Sequence, residues 1–294
     1  MAFAAIAEAG SITSAAQRLS LSKSVVSERL SELERSLGAR LMHRTTRKLV
    51  LTPDGRSFYE RAKRILRDLD QAASELAERR GSLTGPLRIS APVSFGKLHL
   101  GSALFGFLKE NPKIELTLDL DDRFVDLLTE GYDAVIRHGP VDDKRVIVKR
   151  LALSRRALVA SPQYLKRYGQ PTSLQTLERH RAIIYSNRGA DDWRFRAGRK
   201  TATLRPSTAL RVNNGLLMLD AAVAGLGIAL LPTFFLQIPL KEQSLAVVDV
   251  GAEAEGASIY IAYPDHLRGS GKIRALTAWL QQSFGKPPYW DANL

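Results

Sequence analysis

Apolar positions recur with helical spacing through the first part of the chain, and from Leu87 onward strand-like and helix-like runs alternate. In the first part Ala15, Ala16 and Leu19 mark one face of a short helix, Ser20-Leu21-Ser22 interrupts it, and Val25, Val26, Leu30, Leu33 and Leu37 resume the helical period. Gly38 ends that second helix. The run RLMHRTTRKLVLT then gives two β-prone segments around Arg44 to Arg47, which predict a two-stranded wing. Helix, tight turn, helix and wing, in that order, read as a winged helix-turn-helix.

In such a motif the second helix enters a DNA major groove about 12 Å wide while its partner helix and the wing hold it against phosphates. Ser22, Lys23, Ser24 and Ser27 fall on the first turns of that helix, where short polar side chains and open amides reach phosphates or base edges, and Arg29 follows them. Arg44, Thr46 and Arg47 of the wing are the expected backbone or minor-groove contacts. The competing reading is a capped surface helix beside a basic loop, and the adjoining wing argues against it. Thr52 caps the next helix, with Pro53 at its first position and Asp54 beside the positive helix end. Ala62, Ile65, Leu69, Ala72 and Leu76 then recur at spacings of four and three, a seam too narrow for a helix lying on its own domain, and it predicts a homodimer.

Beyond Leu87, LRISA reads as a strand, LHLGSALFGFLKENP as an amphipathic helix closed by Pro112, IELTLDL as a strand, VDLLTEGY as a helix and DAVIRHG as a strand. The alternation continues through RALVASP, AIIYS, GLLMLDAAVAGLGIALLP, LAVVDV and SIYIAYP to a helix from Ile273 to Phe284. Two α/β halves are the expected architecture. Small anions bind where strand ends and helix starts meet at such a seam, because open amides converge there. Ser94, Phe95 and Gly96 stand at one junction, Arg137 and His138 end a neighbouring strand, and Asn213 and Asn214 open a helix of the other half.

Composition narrows the function classes. The chain has no cysteine, which removes disulfides and thiolate chemistry and fits a cytoplasmic location. It has no apolar run of the roughly 20 residues a membrane helix needs, and no secretory leader is evident at its start. A net charge of +13 suggests a polyanionic partner, and between Arg35 and Thr52 the basic residues meet no carboxylate. His43, His99, His138, His180 and His266 are scattered, with no nucleophile elbow or phosphate loop, so no catalytic residue, metal or cofactor is expected. The Gly-x-Gly of AGLGIALLP follows a helix and opens a strand, the reverse of a dinucleotide turn. Asp121, Asp122 and Asp126 read as solvated helix-start charges. An enzyme with a basic surface and a solute-binding protein remain the alternatives, the first favoured by turnover and the second by an export or anchor signal.

The stretch AEAGSITSAAQRLSLSKSVVSERLSELERSLGARLMHRTTRKLVLTPDG resembles the DNA-binding domain of LysR-type transcriptional regulators. The later motifs LRISAPVSFG, LLTEGYDAVIRHG, LVASPQYL, AVAGLGIALLP and IYIAYP resemble, in order, the effector domain of the same family, which is similar to periplasmic solute-binding proteins. Only the tail KPPYWDANL falls outside. The resemblance implies a winged helix-turn-helix over 1–52, a linker and dimerisation helix over 53–80, and an effector-binding domain over 87–294. Within that domain it implies subdomain I at 87–160 and 265–294 and subdomain II at 161–264, with chain crossings near Ala160 to Pro162 and Tyr263 to Pro264. Double-stranded DNA, a small-molecule effector and a homodimer or homotetramer are the implied partners, and the helix start at Ser94 with the Arg137 fork predicts that the effector is anionic. Ser94, Phe95, Arg137, His138 and Asn213 are the implied effector contacts, with two alternatives open: Arg137 as a structural partner of a carboxylate such as Asp133, and Phe95 as core. Family members usually carry further residues ahead of the position of Phe3, so the first helix is expected to be clipped. Glu28 stands where the family often has a basic residue, and it either accepts from cytosine N4 or repels phosphate.

Overall fold

The computed structural model describes all residues except 45–48, 79–81, 187–192, 199 and 293–294. The chain divides into two compact units, Met1–Ser82 and Leu83–Leu294. No helix among the described residues is long and apolar enough to cross a membrane.

In the first unit, helices α1 (Ala2–Ala9), α2 (Ile12–Arg18) and α3 (Lys23–Leu37) precede strands β1 (Met42–Arg44) and β2 (Leu49–Leu51) and the long helix α4 (Pro53–Glu78). The local signals act where the sequence places them. Gly10 and Gly38 end α1 and α3 in the left-handed region, at φ 62° and 63°. Ser22 starts α3 by accepting the Val25 amide at 3.3 Å. Ile6, Ala15, Val26, Leu30 and Leu41 are buried together, and Phe3 joins them while its ring meets Phe58 of α4 at 5.6 Å. Burial of each large aliphatic contributes about 1.5–3 kcal/mol, enough for a short α1 to hold.

The wing pairs antiparallel, Met42 with Leu51 and Arg44 with Leu49. Two side chains weld it to the helices. The Glu34 carboxylate on α3 accepts the amides of Leu41 at 2.7 Å and Met42 at 3.1 Å. The Thr52 hydroxyl donates to the Arg40 carbonyl at 2.7 Å and accepts from the Gly55 amide at 2.8 Å, capping α4 as its Thr-Pro-Asp start predicts. Gly55 is required there, since a Cβ would lie 1.9 Å from the Leu41 carbonyl oxygen.

The second unit holds two five-stranded sheets of matching plan. The first has the order β4-β3-β5-β15-β6, built from β3 (Gly85–Ala91), β4 (Ile114–Leu120), β5 (Ala134–His138), β6 (Val146–Ser154) and β15 (Ala257–Pro264). The second has the order β11-β8-β12-β7-β13, built from β7 (Arg156–Ala160), β8 (Arg181–Tyr185), β11 (Ser207–Val212), β12 (Ile228–Pro232) and β13 (Ala246–Val247). In each, three parallel strands are followed by an antiparallel one that has crossed from the other half. A smaller sheet, β10-β9-β14, pairs β9 (Trp193–Ala197) with β10 (Lys200–Leu204) and β14 (Glu253–Ala254).

This exchange of strands corrects the expected subdomain boundaries. β7 belongs to the second half, paired with β12, and β15 belongs to the first, paired with β5 and β6. The chain therefore crosses at Arg155 and returns at Glu255–Gly256, before each expected position. Ser161-Pro162 and Pro264, at the expected crossings, instead start the short helices that follow those strands. Helix α12 (Gly271–Phe284) packs on β6 and on α6 (Gly101–Glu110), so the C-terminal helix lies in the first half as expected.

Candidate DNA-reading face and effector cleft

On α3 the apolar positions Val26 and Leu30 are buried, which turns Ser24, Ser27, Glu28 and Ser31 outward as one stripe at helical spacing. Lys23 and Ser24 are exposed, Ser27 is half-buried and Arg29 is exposed. Ser22 is committed to the cap and to a 2.8 Å bond with the Ser24 hydroxyl. The Ser31 hydroxyl is spent on the Ser27 carbonyl at 3.0 Å. On this stripe Ser24 shares its hydroxyl with Ser22, Ser27 is half-buried and Glu28 is exposed, with Lys23 at the positive helix end. Arg44 lies in β1, whereas Thr46 and Arg47 lie outside the described residues. Ile65, Leu69 and Leu76 of α4 are 59–67% exposed within one chain, as an unpaired seam would be.

In the second unit the two halves meet at Asp122. Its carboxylate accepts the Val93 amide at 3.0 Å, at the start of α5 (Val93–Phe95), and lies 3.5 Å from the Asn214 side-chain amide of the other half. Asn214 itself caps α10 (Gly215–Val223) by accepting the Leu217 amide at 3.1 Å. Two helix starts, one from each half, therefore converge on one carboxylate. Burial pushes the Asp122 carboxyl above its ordinary pKa, against the opposing pull of the Val93 amide, Asn214 and the Arg137 charge. Asp122 is not the solvated charge expected from sequence. Asp126 is a helix cap, accepting the amides of Leu128 and Thr129.

The expected effector contacts separate. Ser94 is 5% exposed and its hydroxyl has no hydrogen-bond partner, a cost that native interiors rarely leave standing. The buried Arg137 guanidinium donates to the Ser90 hydroxyl and the Ile136 carbonyl, each at 3.0 Å, and Asp133 accepts the Arg88 amide at 2.6 Å. His138 bonds Ser154 at 2.9 Å and faces Phe234 at 6.0 Å between ring centres. Asn213 is exposed beside Asn214. Phe95 is a correction: at 2% exposure it packs against Phe234, Phe284 and Trp290 with ring centres 5.3–5.9 Å apart, so it is core. A ring one residue from a helix start reads the same in sequence whether it faces the cleft or the interior.

A cavity of about 570 Å³ opens in the second half between Tyr164, Tyr168, Arg179, His180 and Arg181. It lies at the amino end of β8, away from the strand ends where α/β sheets bind ligands, and its two arginines are exposed, where solvent screens them. No cluster of metal-ligating side chains is present among the described residues.

The chain joins a winged helix-turn-helix unit to a two-lobed α/β unit. Residues 1–56 match "Bacterial regulatory helix-turn-helix protein, lysR family" and residues 80–285 match "LysR substrate binding domain". The chain belongs to the LysR family of transcriptional regulators and is not an enzyme. It is 33% identical over 291 residues to the HTH-type transcriptional regulator PtxR of Pseudomonas aeruginosa, covering 98% of this chain and 93% of that protein. It is 31% identical to the regulator DmlR of Escherichia coli, over 97% of this chain and 93% of the relative. The full-length structure of AphB, a virulence activator of Vibrio cholerae, superposes with a TM-score of 0.62 at 28% identity, covering 95% of this chain and 96% of that one.

Proposed function

We propose that this LysR-type regulator binds promoter DNA sequence-specifically through α3 and the wing as a homodimer or homotetramer in the bacterial cytoplasm, and that a small anionic metabolite bound between the two α/β halves changes that complex. Ser22, Lys23, Ser24, Ser27, Arg29, Arg44, Thr46 and Arg47 are the proposed DNA contacts. Ser94, Arg137, His138 and Asn213 are the proposed effector contacts. The observation that carries the effector reading is the buried, unpartnered Ser94 hydroxyl at a helix start where the halves converge. Asp122 already holds the Val93 amide, so an entering carboxylate takes over that bond and releases Asp122, with Asn214, from its bridging position. Binding regulates because it favours one arrangement of the halves over the other; a ligand with equal affinity for both shifts nothing.

DNA binding is tested against the promoter regions of the chain's own and neighbouring genes and against random duplex at about 0.15 M salt, where equal affinity for all rejects the reading. Arg44→Ala weakens every duplex alike, whereas Ser27→Ala chiefly blurs discrimination between sites. The effector is tested by calorimetry of the full chain with a panel of organic acids and their neutral analogues. Binding of neutral compounds that survives both Ser94→Ala and Arg137→Gln rejects the anion site and leaves the DNA reading intact.

A further inference from the structure

We infer that the segment following α12 is a clasp that fixes the two halves of the sensor to each other, with Trp290 and Tyr289 positioning the helix start that carries Ser94. The family match ends at residue 285, just ahead of this segment. The segment folds back as a turn over Tyr289–Asp291 and buries Trp290 to 1% exposure. The indole lies 4.8 Å from the His99 ring and 5.9 Å from Phe95 in the first half, and 6.4 Å from Phe234 in the second.

Polar contacts follow the same path. His99 Nε2 is 2.9 Å from the Phe234 carbonyl, which only accepts, so Nε2 carries the proton and Nδ1 accepts from the Tyr289 hydroxyl. One imidazole of the first half is thereby held between the second half and the clasp. Asp291 accepts from Arg155 Nε at 3.1 Å, and the Arg155 carbonyl accepts the Thr233 amide at 2.9 Å. Arg155 is the residue at which the chain crosses between halves, so the clasp is tied to that hinge as well as to the aromatic cluster. His99 sits in a π-helical turn, Gly96–Leu100, directly after Ser94 and Phe95. That turn presses on the first sheet closely enough that a Cβ on Gly96 would lie 2.3 Å from Leu120. Holding His99 therefore fixes where the Ser94 hydroxyl points relative to the other half.

Amide hydrogen exchange of the full chain tests this without any ligand. The informative amides are Gly96 and Gly101 in the first half, and Thr233 and Leu236 in the second. Trp290→Ala is expected to accelerate exchange about tenfold at both sets while the strands of both sheets stay protected. Trp290→Phe, which keeps an aromatic ring and gives up the pyrrole part of the indole, whose nitrogen has no hydrogen-bond partner, is expected to restore most of the protection. If Trp290→Ala unfolds the chain, Tyr289→Phe removes a single hydroxyl from a half-exposed side chain and should accelerate the same amides by about threefold. Acceleration confined to the first half makes the tail ordinary core packing and overturns the clasp, as does unchanged exchange at Thr233 and Leu236 in every variant. The consequence for Ser94 rests on the effector reading above, but exchange and effector calorimetry fail independently.

Discussion

Glu34 is the residue whose removal most directly asks whether the wing is held by α3. Its carboxylate accepts two backbone amides, on Leu41 at 1% and Met42 at 6% exposure, so truncation leaves two donors with little access to water. Charge-assisted bonds of this kind are worth about 1.5–3 kcal/mol each. Glu34 is itself only half-buried, which places the pair at the low end, about 3 kcal/mol for Glu34→Ala. Glu34→Gln keeps an oxygen at the same place and should cost about 1 kcal/mol. The assay is amide exchange at Leu41 and Met42 in the full chain, where about 3 kcal/mol corresponds to roughly a hundredfold acceleration for Ala and severalfold for Gln. Affinity for duplex DNA should fall in the same order, and the salt slope should shrink as wing phosphates are lost. Equal exchange in both variants, or protection of Leu41 and Met42 undisturbed in Glu34→Ala, would refute the tether.

Gly55→Ala should destabilise the DNA-binding unit by on the order of 3 kcal/mol, because the new methyl meets backbone at Leu41; normal melting and DNA binding would contradict this. Leu69→Lys places a charge in the exposed seam of α4 and should dissociate the proposed dimer in sedimentation experiments; an unchanged assembly moves the interface elsewhere. Burial holds the His99 pKa below its ordinary value, so the folded chain keeps this ring neutral while the unfolded chain protonates it as pH falls below about 6.5. The contribution is full above that value and is lost as pH falls through the folded pKa. His99→Gln, which can still bridge Phe234 and Tyr289, should flatten the decline in melting temperature between about pH 7.5 and about pH 5.5; an unchanged decline assigns it to other groups.

The elements legible in the sequence were those whose signals are local. Ser22 and Gly38 bracket the reading helix by capping chemistry alone, and Thr52-Pro53-Asp54 starts the long helix for the same reason. What escaped depends on partners remote in sequence. β9, β10 and β11 carry no continuous apolar run that would mark a buried strand, and β10 and β11 are edge strands. The crossings lie earlier than expected because nothing within Arg156–Ala160 reveals that it pairs with Ile228–Pro232. Asp122 looked like a solvated charge because Val93 and Asn214, which bury it, lie far away in the chain. The tail gave no functional signal, since its meaning depends on His99 and Arg155.

The joint at Thr52 bears on the spacing of operator sequences. Arg40, Leu41, Thr52 and Gly55 lock the wing to the first turn of a 26-residue helix, so reading helix, wing and long helix turn as one solid piece. A subunit built this way has little internal freedom with which to follow a half-site that is shifted along the DNA. In a dimer paired along the long helices, the distance between half-sites, about 34 Å for one turn of duplex, is set by the angle at which those helices cross. Inserting base pairs between half-sites should then be answered only by re-pairing of the helices or by bending of the DNA, and the preferred spacing becomes a direct ruler of that crossing angle.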